Sequence, residues 1–494
     1  MAARFVETTR EREQASRPEL RHEPMLVLAH HPQLSRAGEL LALERHVTEV
    51  SRLAPSWTGP DGADTGPLDD PFVSRQPFAI RRLARGGVEI TNDHGIALAV
   101  AGAAVQQGSI RRLSTDELAR GVELVIGDRV VLWLASDLRH ERDDLGLSGC
   151  SAAIGVLRAE IREAARLAGP VLVVGETGAG KELVARALHA ASARRGGPFV
   201  AVNMAAIPAA VAASELFGHA RGAFTGADEA RAGYFERAAG GVVFLDEIGE
   251  LPEAIQPVLL RALESGEIQP VGGQPRRVDV AVVAATDADL EAEVAARRFR
   301  GPLYYRLAAT TVRVPPLRER RGDIAVLLAR FLMMQLGPEH VDQTTAEHPA
   351  LPARLVADLL RRPWPGNVRQ LQHAASRIAQ RMQAGAPVEL AELGDGFDEP
   401  VPELAGAAID AARLVATLRA HRFQLNHTAA ALGISRTHLD ALIARSPQLR
   451  KAKDLARDEI AACAEALGGD LDAMAARLEV SPRGLRLRMR QLGL

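Results

Sequence analysis

Residues 171–182 read VLVVGETGAGKE, and their interpretation decides the fold. An apolar run, Val171 to Val174, leads into Gly175-Glu176-Thr177-Gly178-Ala179-Gly180-Lys181, and a helix-forming stretch, KELVARALHAAS, follows. Strand, glycine loop and helix in that order are what a phosphate-binding loop requires. The glycines let backbone N–H groups wrap phosphates, the new helix N-terminus favours an anion, and the Lys ammonium reaches the terminal phosphates. Lys181 is one of only three lysines, with Lys451 and Lys453, among 60 basic residues. In so Arg-rich a chain a surviving Lys points to chemistry, because a compact ammonium fits where a planar guanidinium does not. Glu182 departs from the general pattern, which places a Ser or Thr hydroxyl there for Mg²⁺.

Working outward, residues 145–382 alternate β-rich runs (PVLVVG, FVAVN, VVFLD, VDVAVVAAT) with helical stretches, which predicts a parallel sheet covered by helices. Helical segments at 323–336 and 351–382 form a separate all-α piece. In GGVVFLDEIGELP (240–252) a buried strand ends at Asp246-Glu247. The first carboxylate suits Mg²⁺ and the second suits orienting or deprotonating the attacking water. FRGPLYYRL supplies Arg300 and Arg306, and WPGNVRQL supplies Arg369, as cations for a departing phosphoryl group. In this composition any one Arg reads equally as a solvated surface residue, so residue physics alone does not select these three. RGAFTGADEA (221–230) sets one Phe on a Gly/Ala loop, which by itself reads as a turn with a tucked ring.

The flanks differ in kind. Residues from about 24 to 137 carry short apolar runs separated by turn signals, which predicts a small β-sandwich. A Pro, Gly and acid-rich linker near 385–406 leads into a helical C-terminal block. There LNHTAAALGISRTHLDALI (425–443) reads as helix, Gly turn, helix, and LDAMAARLEVSPRGLRLRM (471–489) repeats it. Leu432 aligns with Leu478, Ile434 with Val480 and Ser435 with Ser481. Glu479 replaces the turn Gly433, and Pro482 takes a first helical position, where proline is tolerated. The second copy carries Arg483, Arg486, Arg488 and Arg490 with no nearby acid, suited to DNA phosphates. The first carries His438 and Asp440 and is either a second reader or a spacer.

The 494 residues allow two to four domains, with 47% hydrophobic and 25% charged residues, ordinary for a globular chain. A net charge of −2 excludes a basic nucleic-acid coat, no apolar run of about 18 residues spans a membrane, and the charged N-terminus lacks a signal-peptide core. Cys150 and Cys463, far apart, argue against a disulfide framework, so a cytoplasmic setting is expected.

Taken together, GETGAGKE, FVAVN, ELFGHARGAFTGA, GGVVFLDEIGELP, LYYRL, PPLRER and WPGNVRQL resemble one family in order: the bacterial enhancer-binding proteins, AAA+ ATPases that activate sigma-54 RNA polymerase. The motifs cover about 235 residues, the GAFTGA hexapeptide is nearly diagnostic, and Glu182 is what this family has there. The resemblance implies that Gly175, Glu176, Thr177, Gly178, Ala179, Gly180, Lys181 and Glu182 bind ATP, with Arg369 as the lid's sensor. Asp246 and Glu247 would be the Walker B acids, Asp246 holding Mg²⁺, and Asn203 the switch restraining Glu247. Arg300 and Arg306 would be arginine fingers reaching a neighbour in a ring, typically a hexamer, with a dimer as the resting alternative. Gly222, Ala223, Phe224, Thr225, Gly226 and Ala227 would form the moving loop that touches sigma-54. Two departures stand out: Gly301 and Pro302 where acids are usual, and Asp287 where an Asn or His follows AAT, which predicts slow hydrolysis.

DPFVSRQPFAI, GGVEITN and LARGVELVIGDRVVLWL resemble a forkhead-associated (FHA) domain, with Ser74, Arg75 and Asn92 as its phosphothreonine-peptide residues. A sandwich that only holds the ring shut is the other reading, and Pro77 stands where the family's His follows. The C-terminal copies resemble the Fis-type helix-turn-helix, with Ser481, Arg483, Arg486, Arg488 and Arg490 on enhancer DNA. The implied architecture is a disordered N-terminus (1–23), an FHA-like sandwich (24–140), an α/β AAA+ ATPase (145–312), its helical lid (313–382), a linker (383–410) and two helix-turn-helix copies (411–450 and 451–494). The competing readings are a ring unfoldase, which usually carries an aromatic-hydrophobic-Gly pore loop, and a DNA-binding regulator with a decayed ATPase.

Overall fold

The computed structural model describes residues 23–393, except 85, 137, 139–143, 226 and 345–348. It also describes residues 411–492, except 422, 424, 426–427, 429–442, 444–454, 468–470 and 481. The chain divides into two compact units, Met1–Asp398 and Glu399–Leu494.

Two antiparallel sheets, of eight and four strands, form the N-terminal sandwich. Strands β1 (Pro24–His30) and β2 (Val130–Ser136) pair at the middle of the larger sheet, with Val27 opposite Trp133. Their sequences, PMLVLAH and VVLWLAS, are apolar runs and not alternations, and both strands are buried nearly throughout. A strand covered on both faces has this signature. Leu26, Leu28, Leu132 and Leu134 enter the sandwich core with Phe78, Ile80, Val88 and Ile90. Their alternates, Val27, Ala29, Val131, Trp133 and Ala135, join a different core, shared with the lid. The Trp133 indole lies on Gly121, where a β-carbon would stand 2.2 Å from the ring.

The central sheet is parallel throughout: β3 (Val171–Val174), β4 (Phe199–Asn203), β5 (Val242–Asp246), β6 (Ala281–Thr286) and β7 (Thr310–Arg313), in the spatial order β4-β5-β6-β3-β7. Helices α1 (Ala152–Ala164) and α2 (Lys181–Ala191) pack on it. The short helix α3 (Gly301–Leu307) precedes β7, and the lid follows as α4 (Gly322–Met333), α5 (Ala353–Arg361) and α6 (Asn367–Gln383). Asp323, fully buried on α4, accepts hydrogen bonds from the Cys150 and Ser151 backbone N–H groups and from the Ser151 hydroxyl. That ties the lid to the residues that start α1.

In the C-terminal unit α7 (Arg457–Ala466), α8 (Leu471–Arg477) and α9 (Pro482–Leu492) close on Ile460, Met474, Val480 and Leu485. Glu479, in the turn where the first copy has Gly433, adopts φ +55°. Its carboxylate accepts from Arg419 at 2.7 Å. The turn geometry that favours Gly is therefore kept by a residue it does not suit. Of the first copy, residues 429–442, including His438 and Asp440, lie outside the described residues.

Candidate functional site

Parallel pairing sets the C-terminal ends of β3 to β6 side by side. Asn203 is the register partner of Asp246, and Val174 that of Thr286. The Gly175 N–H donates to the Thr286 carbonyl, which starts the glycine loop beside Asp287. Gly178 and Gly180 have φ +74° and +107°, the left-handed region where a side chain would be strained. Lys181 is only 7% exposed, and its ammonium donates to the Gly175 carbonyl at 3.0 Å, over the mouth of the loop. Glu182 forms an i,i+4 ion pair with Arg186 on the exposed face of α2.

Burial raises the Asp246 and Glu247 carboxyls above the usual range, and Lys181 opposes this for both. Such acids favour a cation beside them. Among the described residues no cluster of three or more His, Cys, Asp and Glu could hold a metal alone. The donor present is the Asp246 carboxylate at the end of β5, and Mg²⁺ takes one or two carboxylates and completes its shell with phosphates and water. A β-carbon at Gly180 would meet nothing within 4 Å, so the loop is an open cradle. The residues present therefore fit a nucleotide with its metal.

Asp287 is paired in this site. The Thr177 hydroxyl donates to its carboxylate and is the main cause holding Asp287 below the ordinary range. The Glu247 carboxyl hydrogen-bonds the same group, and Asp287 adds to the upward shift of Glu247. Glu247 itself sits at φ +54°. Asn203 uses its carboxamide oxygen to accept from the Ala205 N–H at 2.9 Å, capping the short turn after β4.

The lid closes the loop from the other side. Asn367, 0% exposed at φ +51°, accepts from the Leu317 N–H and donates to Glu176 and the Thr177 carbonyl. Val368 N–H donates to the Gly178 carbonyl, Arg320 to the Ala179 carbonyl, and Arg318 to both Glu176 oxygens. A β-carbon on Gly178 would stand 2.4 Å from the Gly366 carbonyl oxygen. Arg369 lies exposed beside Gly178. Sequence reasoning named Arg369 alone here and missed Asn367, Arg318 and Arg320. The signal was present in Gly366-Asn367, since Asn tolerates the left-handed conformation better than most residues.

Pro302 does not disturb its neighbourhood: it lies in the first turn of α3, where a proline N–H is not needed. Arg300 precedes that helix, its N–H donating to Gln256, and its side chain is exposed. Arg306, also exposed, donates to the Leu263 carbonyl.

The Gly222 N–H donates to the Ala227 carbonyl, and the Ala227 N–H donates to the Phe224 carbonyl, so the ends of this loop are joined. Gly222 takes φ +76°, and Gly226 lies outside the described residues. Phe224 is 47% exposed and not tucked into a core. One side of its ring meets His219 at 5.0 Å, and Thr225 beside it is exposed. Ala223 approaches Gly272, which places a second loop under the first.

In the sandwich, Arg75 is exposed and the Ser74 hydroxyl accepts from the Gln76 N–H. Asn92 is fully buried, donating to the Ile96 and Val105 carbonyls and accepting from Ile96 N–H. It is an internal brace. On α9, Arg486 is exposed, whereas Arg488 is half-buried and donates to the Leu455 carbonyl. Ser481 and the side chains of Arg483 and Arg490 lie outside the described residues.

The parallel sheet, glycine loop, paired acids and helical lid define a P-loop ATPase domain of the AAA+ class. Residues 147–313 match the model of the sigma-54 interaction domain, and 318–408 that of a AAA+ ATPase lid domain. The chain is 46% identical over 258 residues to the regulatory protein LuxO of Vibrio cholerae, covering 51% of this chain and 48% of that one. It is 43% identical over 329 residues to the C4-dicarboxylate transport transcriptional regulatory protein DctD of Pseudomonas aeruginosa, covering 66% and 69%. With the hydrogenase transcriptional regulatory protein HoxA of Cupriavidus necator it shares 43% over 356 residues, covering 67% and 68%. The chain belongs to the family of AAA+ transcriptional activators that carry a sigma-54 interaction domain. It spans about half the length of the first curated relatives it matches.

Proposed function

We propose that this protein hydrolyses ATP to remodel the sigma-54 RNA polymerase closed complex into the open complex while held on enhancer DNA. The observation that carries the reading is the exposed Phe224–Thr225 tip on a loop whose ends are joined, within the matched sigma-54 interaction domain that also holds the nucleotide site. ATP with Mg²⁺ supplies the phosphoanhydride and a counter-charge. The loop N–H groups and Lys181 bind its phosphates, and Asp246 holds the metal. Glu247 orients the attacking water and takes its proton, with Asn203 at the neighbouring strand end restraining it. Arg300 and Arg306 reach a neighbouring subunit's nucleotide in a ring, and Arg369 carries its state to the lid.

The test is ATP-dependent open-complex formation on a sigma-54 promoter. Thr225→Ala should keep ATP turnover and lose open complexes, and Lys181→Ala should lose both. If the wild type hydrolyses ATP and Thr225→Ala opens promoters equally well, the reading fails.

The α8–α9 pair serves as the helix-turn-helix, with α9 on DNA. Because Arg488 is committed to Leu455, the phosphate contacts fall to Arg483, Arg486 and Arg490. Arg486→Ala should lower the salt slope of binding by about 0.9, and binding that ignores ionic strength would refute the assignment. The sandwich serves as the input domain. A phosphothreonine partner would rest on Ser74 and Arg75, because Asn92 is turned inward.

A further inference from the structure

We infer that the N-terminal sandwich and the helical lid are one permanent body, so that an input taken by the sandwich reaches the nucleotide as a displacement of the lid and not as release of a cap. The functional half of this rests on the ATPase reading above; the premise rests on the contacts between the two parts.

Three kinds of contact carry it. The first is apolar and continuous. Val27, Val131 and Trp133 share a single core with Ile324, Leu328 and Leu359 of the lid. This is half of the burial of β1 and β2, whose other faces form the sandwich's own core. Trp133 is wedged between Gly121 of the sandwich and Gly322 of the lid, where a β-carbon would lie 3.3 Å from the indole. A sheet that had to expose this face on every cycle would show polar alternates at those positions.

The second kind is backbone. Gln33 and Asp342 form an antiparallel bridge, and the Gln343 N–H donates to the Pro32 carbonyl at 3.0 Å. The third is charge: Arg361 of α5 lies 3.3 Å from Glu123, whose side chain is 2% exposed. Separation would leave Glu123 without that cation. The same lid carries Asn367, Val368 and Arg369 against the glycine loop, so the path from sandwich to phosphate site is short and contiguous.

The bridge at Gln33 and Asp342 offers a direct test in the full chain. Gln33→Cys with Asp342→Cys, in a Cys463→Ser background, places two thiols across the joint, while Cys150 stays fully buried. Oxidised and reduced protein should then differ in ATP turnover and promoter opening by less than about twofold, the scatter of uncoupled changes. The disulfide should form to the same extent without nucleotide, with ADP and with a non-hydrolysable ATP analogue. A cross-link that stops or unleashes turnover reversibly, or that fails to form in one nucleotide state, overturns the proposal. If neither redox form hydrolyses ATP, the ATPase reading has failed, and the cross-linking yields still decide the joint.

Discussion

At the scale of single residues, the glycine loop between strand and helix was legible because its signal is local. Lys181 stood out in an Arg-rich chain, and the Gly spacing around it has one main use. What sequence could not give was partnership. Asp287 stands where an Asn or His is usual, and its partner is out of sight in the sequence: it accepts from Thr177, a contact across 110 residues of chain. It also faces Glu247, and this sets a pH dependence. A raised carboxyl stays protonated to higher pH, and Glu247 must be ionised to take a proton from water. Turnover should therefore rise with pH through an acid limb lying above the ordinary Glu range. Burial is the main cause that raises Glu247, and Asp287→Asn removes one of the charges that add to it, so the limb should move down and turnover on the acid side should increase. A wild-type turnover equal to or above that of Asp287→Asn would contradict this. Asn92 and Arg488 show partnership of another kind: both read as ligand residues in their motifs, and in the fold each bonds to its own chain. Burial of a polar side chain is not visible in a motif.

At the scale of elements, the parallel sheet followed from apolar runs alternating with helical stretches, and four of its five strands lie where those runs are; β7, with the sequence TTVR, is too short and polar to stand out. The clamp between lid and glycine loop was not foreseen, because Leu317, Asn367 and Thr177 are joined only by tertiary packing. Asn367→Ala would leave the buried Leu317 N–H without an acceptor, a cost of about 1–3 kcal/mol, and would strain a left-handed backbone position. The expected result is a lower melting temperature together with weaker ATP binding, measured by nucleotide titration. Asn367→Gly should recover the backbone part only. If Asn367→Ala binds ATP and melts like wild type, the clamp is decorative. The longer sandwich strands were legible as strands, while short ones such as Leu40–Ala42 and Asp64–Gly66 were not, and the lid-facing role of Val27, Val131 and Trp133 was not drawn from any of them. An unbroken apolar run in an antiparallel sheet was the available sign.

At the scale of the whole molecule, the joint between sandwich and lid brings a stability signature. Burial drives His30 from an ordinary 6.5 down to about 3, and His31 down to about 4. Both are neutral in the fold, and His30 also hydrogen-bonds the backbone of Leu351 in the lid. Unfolding lets them bind protons, so the contribution is complete above about pH 6.5 and is lost as pH falls towards the folded values, at roughly 1.4 kcal/mol per pH unit for each ring. Melting followed from about pH 7 to 5 should fall steeply in wild type and less so in His30→Phe. An equal slope in the two would assign acid sensitivity elsewhere. Finally, β1 and β2 leave the ribosome long before the helices that cover them. At about 5–20 residues per second, a completed sandwich waits roughly 10–40 s with Val27, Val131 and Trp133 facing water until residues 322–360 emerge. The nascent chain in that interval presents an apolar sheet face, the kind of surface that makes aggregation during synthesis a hazard.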